Sequence, residues 1–351
     1  MRRIQRFILL GIIVLAAVGA ALFFYAKYQL NPVPAKSKSV QVTVKPGMST
    51  SAISEELERK GLIRSSTVFA LYLKYKNEGG KFQAGKYAFT PGATIQDIIE
   101  RLNKGDTVKA DTIRFTVPEG YTLRQIADKL SSEGYVERSS FLAAASRPAE
   151  IAPELAAYIP KEAVLKYPME GYLFPETYEF AKGAKAAEIL SRMASELESR
   201  LDQLPPDWES VIQARGQSLH DILTIASLVE REAIVDLERP IIAGVIYNRL
   251  DQKMRLQIDA TVQYLLDKPK ARLLYKDLKI ESVYNTYLHE GLPPGPIASP
   301  SLASIKAAVY PEKSKFLFYV TKKDGTNTHF FAETYKQHLK NIEISNKLAS
   351  E

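Results

Sequence analysis

Nineteen consecutive residues without a charge, Phe7–Tyr25 (FILLGIIVLAAVGAALFFY), constrain this chain more than any other feature. A bilayer core is crossed by about 20 apolar residues in a helix, because backbone N–H and C=O groups must bond internally there. Arg2, Arg3 and Arg6 precede the run and Lys27 follows it. Basic residues are retained on the cytoplasmic side. The expectation is therefore a cytoplasmic stub (1–6), a single transmembrane helix (7–25), a linker (26–39) and the remaining chain outside the cytoplasmic membrane. A cleaved signal peptide is the competing reading. Its apolar region usually spans about 7–15 residues and ends at a small-residue cleavage site, and FFYAKYQL shows no A-x-A pattern. Asn31–Ser39, NPVPAKSKS, is rich in Pro and Ser and reads as a short spacer.

The formal charge of +7 is less basic than it looks. Residues 1–27 carry four bases and no acid, leaving 43 basic against 40 acidic side chains in the rest. That balance, without a basic stripe, gives no expectation of nucleic acid as a partner. Cysteine is absent, which excludes disulfides, a Cys nucleophile and thiolate metal sites. The four histidines are scattered and no HExxH occurs, so neither a metal nor another cofactor is expected.

An internal repeat follows the spacer. GMSTSAISEEL, GATIQDIIERL and GYTLRQIADKL start at Gly47, Gly92 and Gly120 and share Gly-x-Ser/Thr-x3-Ile-x3-Leu. Ser49, Thr94 and Thr122 are placed as helix N-caps, and Pro46, Pro91 and Pro118 mark the preceding turns. VTVKPG (Val42–Gly47) matches FTVPEG (Phe115–Gly120), each a strand entering a turn. Gly61 and Gly134 close the helices. Val40–Ala145 thus reads as duplicated strand–helix–helix units with a middle fragment, GKYAFTPGATIQDII. The strand, PG-T turn and I-x-x-x-L helix resemble the LysM module, which binds the sugar backbone of peptidoglycan or chitin. A spacer domain sharing the same strand–helix grammar is the alternative.

Further on, Leu223–Ala233 reads LTIASLVEREA. Ile225, Leu228, Val229 and Glu232 fall at i, i+3, i+4 and i+7, one helix face. Glu232 is therefore expected against apolar walls, where burial disfavours the charged form and raises the pKa into the range of a general acid. A glutamate at the edge of an apolar face commonly swings outward or pairs with an arginine instead. Glu230, whose i−3 and i−4 neighbours are Ser227 and Ala226, is expected to be solvated.

Downstream lie more polar groups. Glu238-Arg239-Pro240 opens a second helix that carries Asn248 and Arg249. In MRLQIDATVQY (Met254–Tyr264), Gln257, Asp259 and Thr261 alternate with Leu256, Ile258 and Ala260; in a turn or short strand all three would point to one side. Then come YNTY (Tyr284–Tyr287), the stiff GLPPGPIASPS loop (Gly291–Ser301), the strand FLFYVT (Phe316–Thr321) and THFF (Thr328–Phe331). Amides, hydroxyls and tyrosines such as Asn248, Gln257, Tyr284, Asn285 and Tyr287 are groups that hold sugar rings, although YNTY also reads as a strand end.

The ordered series GYLFPETY, ASLVEREA, ERPIIAGVIYNRL, LQIDATVQY, YNTY, GLPPGPIASPS, AAVYP and HFF resembles the endolytic murein transglycosylase family, also called YceG-like, over about Val40–Leu339. The resemblance implies an α+β protein: a single N-terminal transmembrane helix, a LysM-like glycan-binding region (40–150) and a mixed α+β catalytic domain (151–351). It implies a lytic transglycosylase that cuts the MurNAc-β-1,4-GlcNAc bond inside nascent glycan strands and leaves a 1,6-anhydro-MurNAc end. It places Glu232 as the essential acid, Gln257 and Asp259 in an L-Q-x-D element, and Tyr284, Asn285 and Thr286 in a Y-N-T element. Peptidoglycan strands, the cytoplasmic membrane and peptidoglycan synthases are the implied partners. Ile258 and Ala260 stand where Thr and Pro are common in relatives, and Ser299-Pro300-Ser301 where P-G is frequent. A lysozyme-like muramidase with Asp259 as base, and a non-catalytic wall-binding scaffold, are the rival readings. A Ser peptidase has no S-x-x-K or G-x-S-x-G signature to support it.

Overall fold

The computed structural model describes residues 2–34, 39–90, 92–108 and 111–349; Pro91 and residues 35–38 of the spacer lie outside them. The chain divides into two compact units, 1–110 and 111–351, each a mixture of helices and antiparallel strand pairs.

The first unit opens with helix α1, Arg2–Gln29. Its stretch Leu9–Gln29 has a mean hydropathy of 2.5 over its most apolar window and is not buried in protein, so it is long and apolar enough to cross a membrane. Leu15, Leu22 and Phe24 are each more than half exposed, a contiguous apolar surface of the kind that marks an interaction face or a membrane span. Strand β1 (Val40–Val44), helices α2 (Thr50–Arg59) and α3 (Ser66–Lys76), strand β2 (Gly85–Phe89) and helix α4 (Ile95–Lys104) follow. β1 and β2 pair antiparallel, Val42 opposite Tyr87. Val42 and Val44, two apart, face the same side and pack with Ile53, Leu57, Ile98 and Leu102 from the helix stripes.

The second unit repeats that order. Strand β3 (Thr112–Thr116), helices α5 (Leu123–Ser132) and α6 (Arg138–Ala145), short turns α7 (Pro148–Ile151) and α8 (Pro153–Ala156), strand β4 (Thr177–Ala181) and helix α9 (Ala186–Leu201) come in sequence. β3 and β4 pair antiparallel, Phe115 opposite Tyr178. The duplicated element is therefore strand–helix–helix–strand–helix, and the middle fragment of the sequence reading supplies the closing strand and last helix of the first copy. All three hydroxyl residues cap as expected: Ser49 accepts from the Ala52 N–H, Thr94 from Asp97 and Thr122 from Gln125. The packing boundary falls at 110/111 and not at the expected 150/151. The physical reason is the β3–β4 pairing, which ties residues 112–116 to 177–181 and merges Phe115, Ile126 and Phe141 into one core with Leu190, Ile225 and Ile246.

The remainder of the second unit builds the site. Helices α10 (Trp208–Ala214), α11 (Leu219–Glu232), α12 (Arg239–Asp251), α13 (Asp259–Leu265) and α14 (Leu302–Val309) are followed by the β5 (Phe318–Thr321) and β6 (His329–Ala332) hairpin and α15 (Tyr335–Leu348). α11 is the central rod. Ser218 and Asp221 form a reciprocal capping box at its start, every residue from Ile222 to Val229 is buried, and α12, α13 and α14 pack around it.

Candidate active site

α11 grips the Pro-rich loop with a polar row. His220 bonds through Nε2 to the Pro294 carbonyl at 2.8 Å and through Nδ1 to the Tyr172 hydroxyl at 2.8 Å. About two and three turns on, the Ser227 hydroxyl accepts the Ile297 N–H (3.0 Å), and Glu230 Oε2 accepts both the N–H (2.9 Å) and the hydroxyl (2.6 Å) of Ser301. Glu230 also pairs with Arg239 at 3.1 Å, and both side chains are less than a tenth exposed. The expectation of a solvated Glu230 is thus corrected. Its partner Arg239 sits at the start of α12, a non-local neighbour that brings a compensating charge into the core.

Glu232, the last residue of α11, keeps only part of its surface accessible. The Tyr319 hydroxyl on β5 donates to Glu232 Oε2 at 2.9 Å. Oε1 has no hydrogen-bond partner among the described residues. Burial pushes the carboxyl pKa up to about 7, and the nearby charge of Asp259 adds to the rise. The Tyr319 hydrogen bond, Arg231 and Arg249 oppose it without cancelling it. A helix C-terminus carries partial negative charge, which disfavours an ionised glutamate there as well.

Arg249 reaches this site from the last turn of α12. Its Nε donates to the Leu317 carbonyl (2.6 Å), its Nη1 to the Leu256 carbonyl (2.7 Å), and its guanidinium lies 5.3 Å from the Phe318 ring centre. One side chain therefore fastens the β5 strand to the segment before α13. Asp259, at the first position of α13, accepts the Tyr287 hydroxyl at 2.6 Å. Burial, followed by Asp259 itself, holds the Tyr287 phenol at a pKa well above its usual value, so it stays a donor.

The other expected sugar-binding groups have different surroundings. The Asn248 amide donates to the Ser314 and Phe316 carbonyls, both at 2.9 Å. Asn285 is fully buried, donates to the Leu278 and Ile280 carbonyls and accepts the Tyr287 N–H. Thr286, also buried, receives the Ile258 N–H on its hydroxyl and the Gln257 N–H on its carbonyl. Tyr284 is 3% exposed, with its ring 5.2 Å from that of Tyr264 and its hydroxyl receiving the Lys166 N–H. These four side chains brace the loop segments around them. Gln257 is exposed, in a left-handed conformation (φ 51°), which a non-glycine residue adopts only when its surroundings hold it. Gln257, Asp259 and Thr261 do not share one side: a helix starts at Asp259, so the period changes from two to 3.6, and Thr261 turns inward to bond Thr286 at 3.0 Å. Glu232, Asp259 and Tyr287 therefore come together with Tyr319 and Arg249. Tyr319 was missed by sequence reasoning, since within FLFYVT it reads as an ordinary strand residue. Among the described residues no cluster of three or more His, Asp and Glu side chains forms a metal-binding group.

These features define a class: a two-unit α+β chain that presents a partly buried glutamate of raised pKa at the end of a buried helix. The chain belongs to the YceG-like family, whose family model matches residues 42–344. It is 38% identical over 331 residues to the endolytic murein transglycosylase of Bacillus subtilis strain 168, covering 92% of this chain and 89% of that one. It is 31% identical over 364 residues to the endolytic murein transglycosylase of Streptococcus pneumoniae D39, covering 97% of this chain and 65% of that protein. A crystal structure of a YceG-like protein from Listeria monocytogenes, 34% identical, superposes with a TM-score of 0.58 over 86% of this chain and 98% of that one.

Proposed function

We propose that this chain is an endolytic peptidoglycan lytic transglycosylase with Glu232 as its acid and base. The observation that carries the reading is the Glu232 carboxyl itself, raised to about 7, held at Oε2 by Tyr319 and unpartnered at Oε1. A group with that pKa exchanges protons readily at neutral pH, which is what one residue acting first as acid and then as base requires. The names of the relatives support the substrate.

In the proposed reaction Glu232 donates its proton to the glycosidic oxygen between MurNAc C1 and GlcNAc C4, and the C1–O bond breaks. The MurNAc N-acetyl oxygen supports C1. The resulting Glu232 carboxylate takes the proton from the MurNAc C6 hydroxyl, whose oxygen closes on C1. The products are a 1,6-anhydro-MurNAc end and a GlcNAc with a free C4 hydroxyl. No water is consumed, and an intramolecular nucleophile outcompetes water through its effective concentration. Gln257, Asp259 and Tyr287 keep accessible surface and are proposed to hold sugar, whereas Asn248, Tyr284, Asn285 and Thr286 are proposed to act through the loops they brace.

A second reading rests on a specific observation. Asp259 lies near enough to Glu232 to raise its pKa, and a second carboxylate able to activate water would make the enzyme a muramidase. Digesting uncrosslinked glycan and weighing the termini separates the two by one water per cut. Anhydro ends are expected, and Glu232→Gln is expected to abolish them while leaving the fold intact. Reducing ends would establish the hydrolase, and cleavage at the parental rate by the variant would remove Glu232 from the mechanism.

Placement is also a proposal. Apolar α1 is proposed to span the cytoplasmic membrane with its N-terminus inside, supported by the arginines that precede the apolar run. The strand–helix–helix–strand unit after it is proposed as a LysM-like glycan-binding region. Strand-polymerising peptidoglycan synthases are the partners expected at that location.

A further inference from the structure

A cavity of about 200 Å³ in the second unit is not used by the proposed reaction. Arg231 and Ala260 line it, and these are the chain neighbours of Glu232 and Asp259, so the cavity starts one residue away from each of the two site carboxylates. Arg124, Lys166, Tyr264 and Lys268 complete the part of the wall that matters here.

Its charges do not balance. The two acids on the wall are already matched: Asp128 pairs with Arg138, and Asp267 with Arg124. Arg231 donates to the Gly120 carbonyl and Lys166 to the Tyr264 carbonyl. Neither of these cations, nor Lys268, has a carboxylate within ion-pair distance among the described residues. Burial, and then the Arg124 guanidinium, hold the Lys166 ammonium below the usual lysine pKa. Glu170, buried behind the wall, is itself raised to about 7 and leaves much of that positive charge unanswered. A concave site with surplus cations and aromatic walls is built for an anion.

We infer that this cavity is a subsite for a carboxylate of the peptide stem borne by the glycan strand, held by Lys166, Arg231 and Lys268. The inference rests on the proposed reaction, because a murein strand brings anionic stems alongside the bond being cut. The sugar backbone itself supplies no comparable charge where stems are attached.

The test uses the full chain in detergent micelles and uncrosslinked, stem-bearing strands of one preparation. Half of the strands have their stem carboxylates converted to amides, which keeps length and sugars constant. The parent is expected to show a kcat/KM about tenfold higher on strands with free carboxylates, the scale of one charge-assisted contact. Lys268→Met and Lys166→Met are each expected to bring that ratio toward one, and thermal melts report whether each variant folds. Exposed Lys268 keeps the test valid if Lys166→Met unfolds. Equal cutting of both strands by the parent, or an unchanged ratio in both variants, would overturn the subsite. Absence of anhydro ends from either strand with the parent would instead overturn the reaction on which the subsite rests.

Discussion

Tyr319→Phe removes one atom from the site and makes a sharp prediction. The phenol is 2.9 Å from Glu232 Oε2 and donates to it. Its ring contacts, edge-on to His329 at 5.5 Å and tilted to Phe331 at 6.3 Å, survive the change. A hydrogen bond to an ionised acceptor is worth about 1.5–3 kcal/mol, and one to a neutral acceptor about 0.5–1.5 kcal/mol. The difference, about 1–1.5 kcal/mol, favours the carboxylate and corresponds to about one pKa unit. Without the hydroxyl, the Glu232 pKa should climb from about 7 to roughly one unit above it. A general acid must be protonated to act, so activity is lost as pH rises through that value. The alkaline limb of the rate profile for release of anhydro ends should move upward by about one unit. A limb that stays in place or moves to lower pH would refute the assignment of this hydrogen bond as a brake on the pKa.

Other outcomes follow from the same geometry. Glu170 is 1% exposed and its folded pKa is raised from 4.5 to about 7 by burial. The folded state therefore holds the proton more tightly, and this group's stabilising contribution is lost as pH rises from about 4.5 to about 7. Glu170→Gln should remove that loss, so its unfolding free energy relative to the parent, read from denaturant melts, should rise between pH 5 and pH 8 by an amount on the order of 3 kcal/mol. A constant difference across that range would contradict the buried-acid account. Glu230→Ala strands Arg239 in the core and removes two bonds to Ser301. It should cost about 3 kcal/mol in denaturant melts, the low end for a broken buried pair, because Asp236 still accepts from Arg239 Nε at 2.9 Å; a loss below about 1 kcal/mol would show the pair to be dispensable.

How much of this was legible in the sequence depended on distance along the chain. Ser49, Thr94 and Thr122 were readable as caps because a cap is decided within four residues. The duplication was readable because each copy repeats its own local grammar. The closing strand of the second copy was not, since the β3–β4 pair joins segments some 60 residues apart and moves the unit boundary with it. Glu232 was legible as an apolar-face acid because a helix stripe is local too. Glu230, two residues away, was misjudged because its partners Arg239 and Ser301 come from other elements. Tyr319 lies 87 residues from Glu232 in sequence, and nothing in FLFYVT signals that its hydroxyl meets a carboxyl. Asn285 and Thr286 carry sugar-like polarity, yet buried backbone carbonyls and N–H groups engage them first, as they must when a loop is enclosed.

The proposed chemistry requires the Glu232 carboxyl to hold its proton near neutral pH. A pH titration of the carboxyl groups by isotope-edited infrared or NMR spectroscopy, taken as the difference between the parent and Glu232→Gln, isolates that one group from Glu170. The missing signal is expected to have its midpoint near 7. A missing signal centred near 4.5, the ordinary glutamate value, would contradict it.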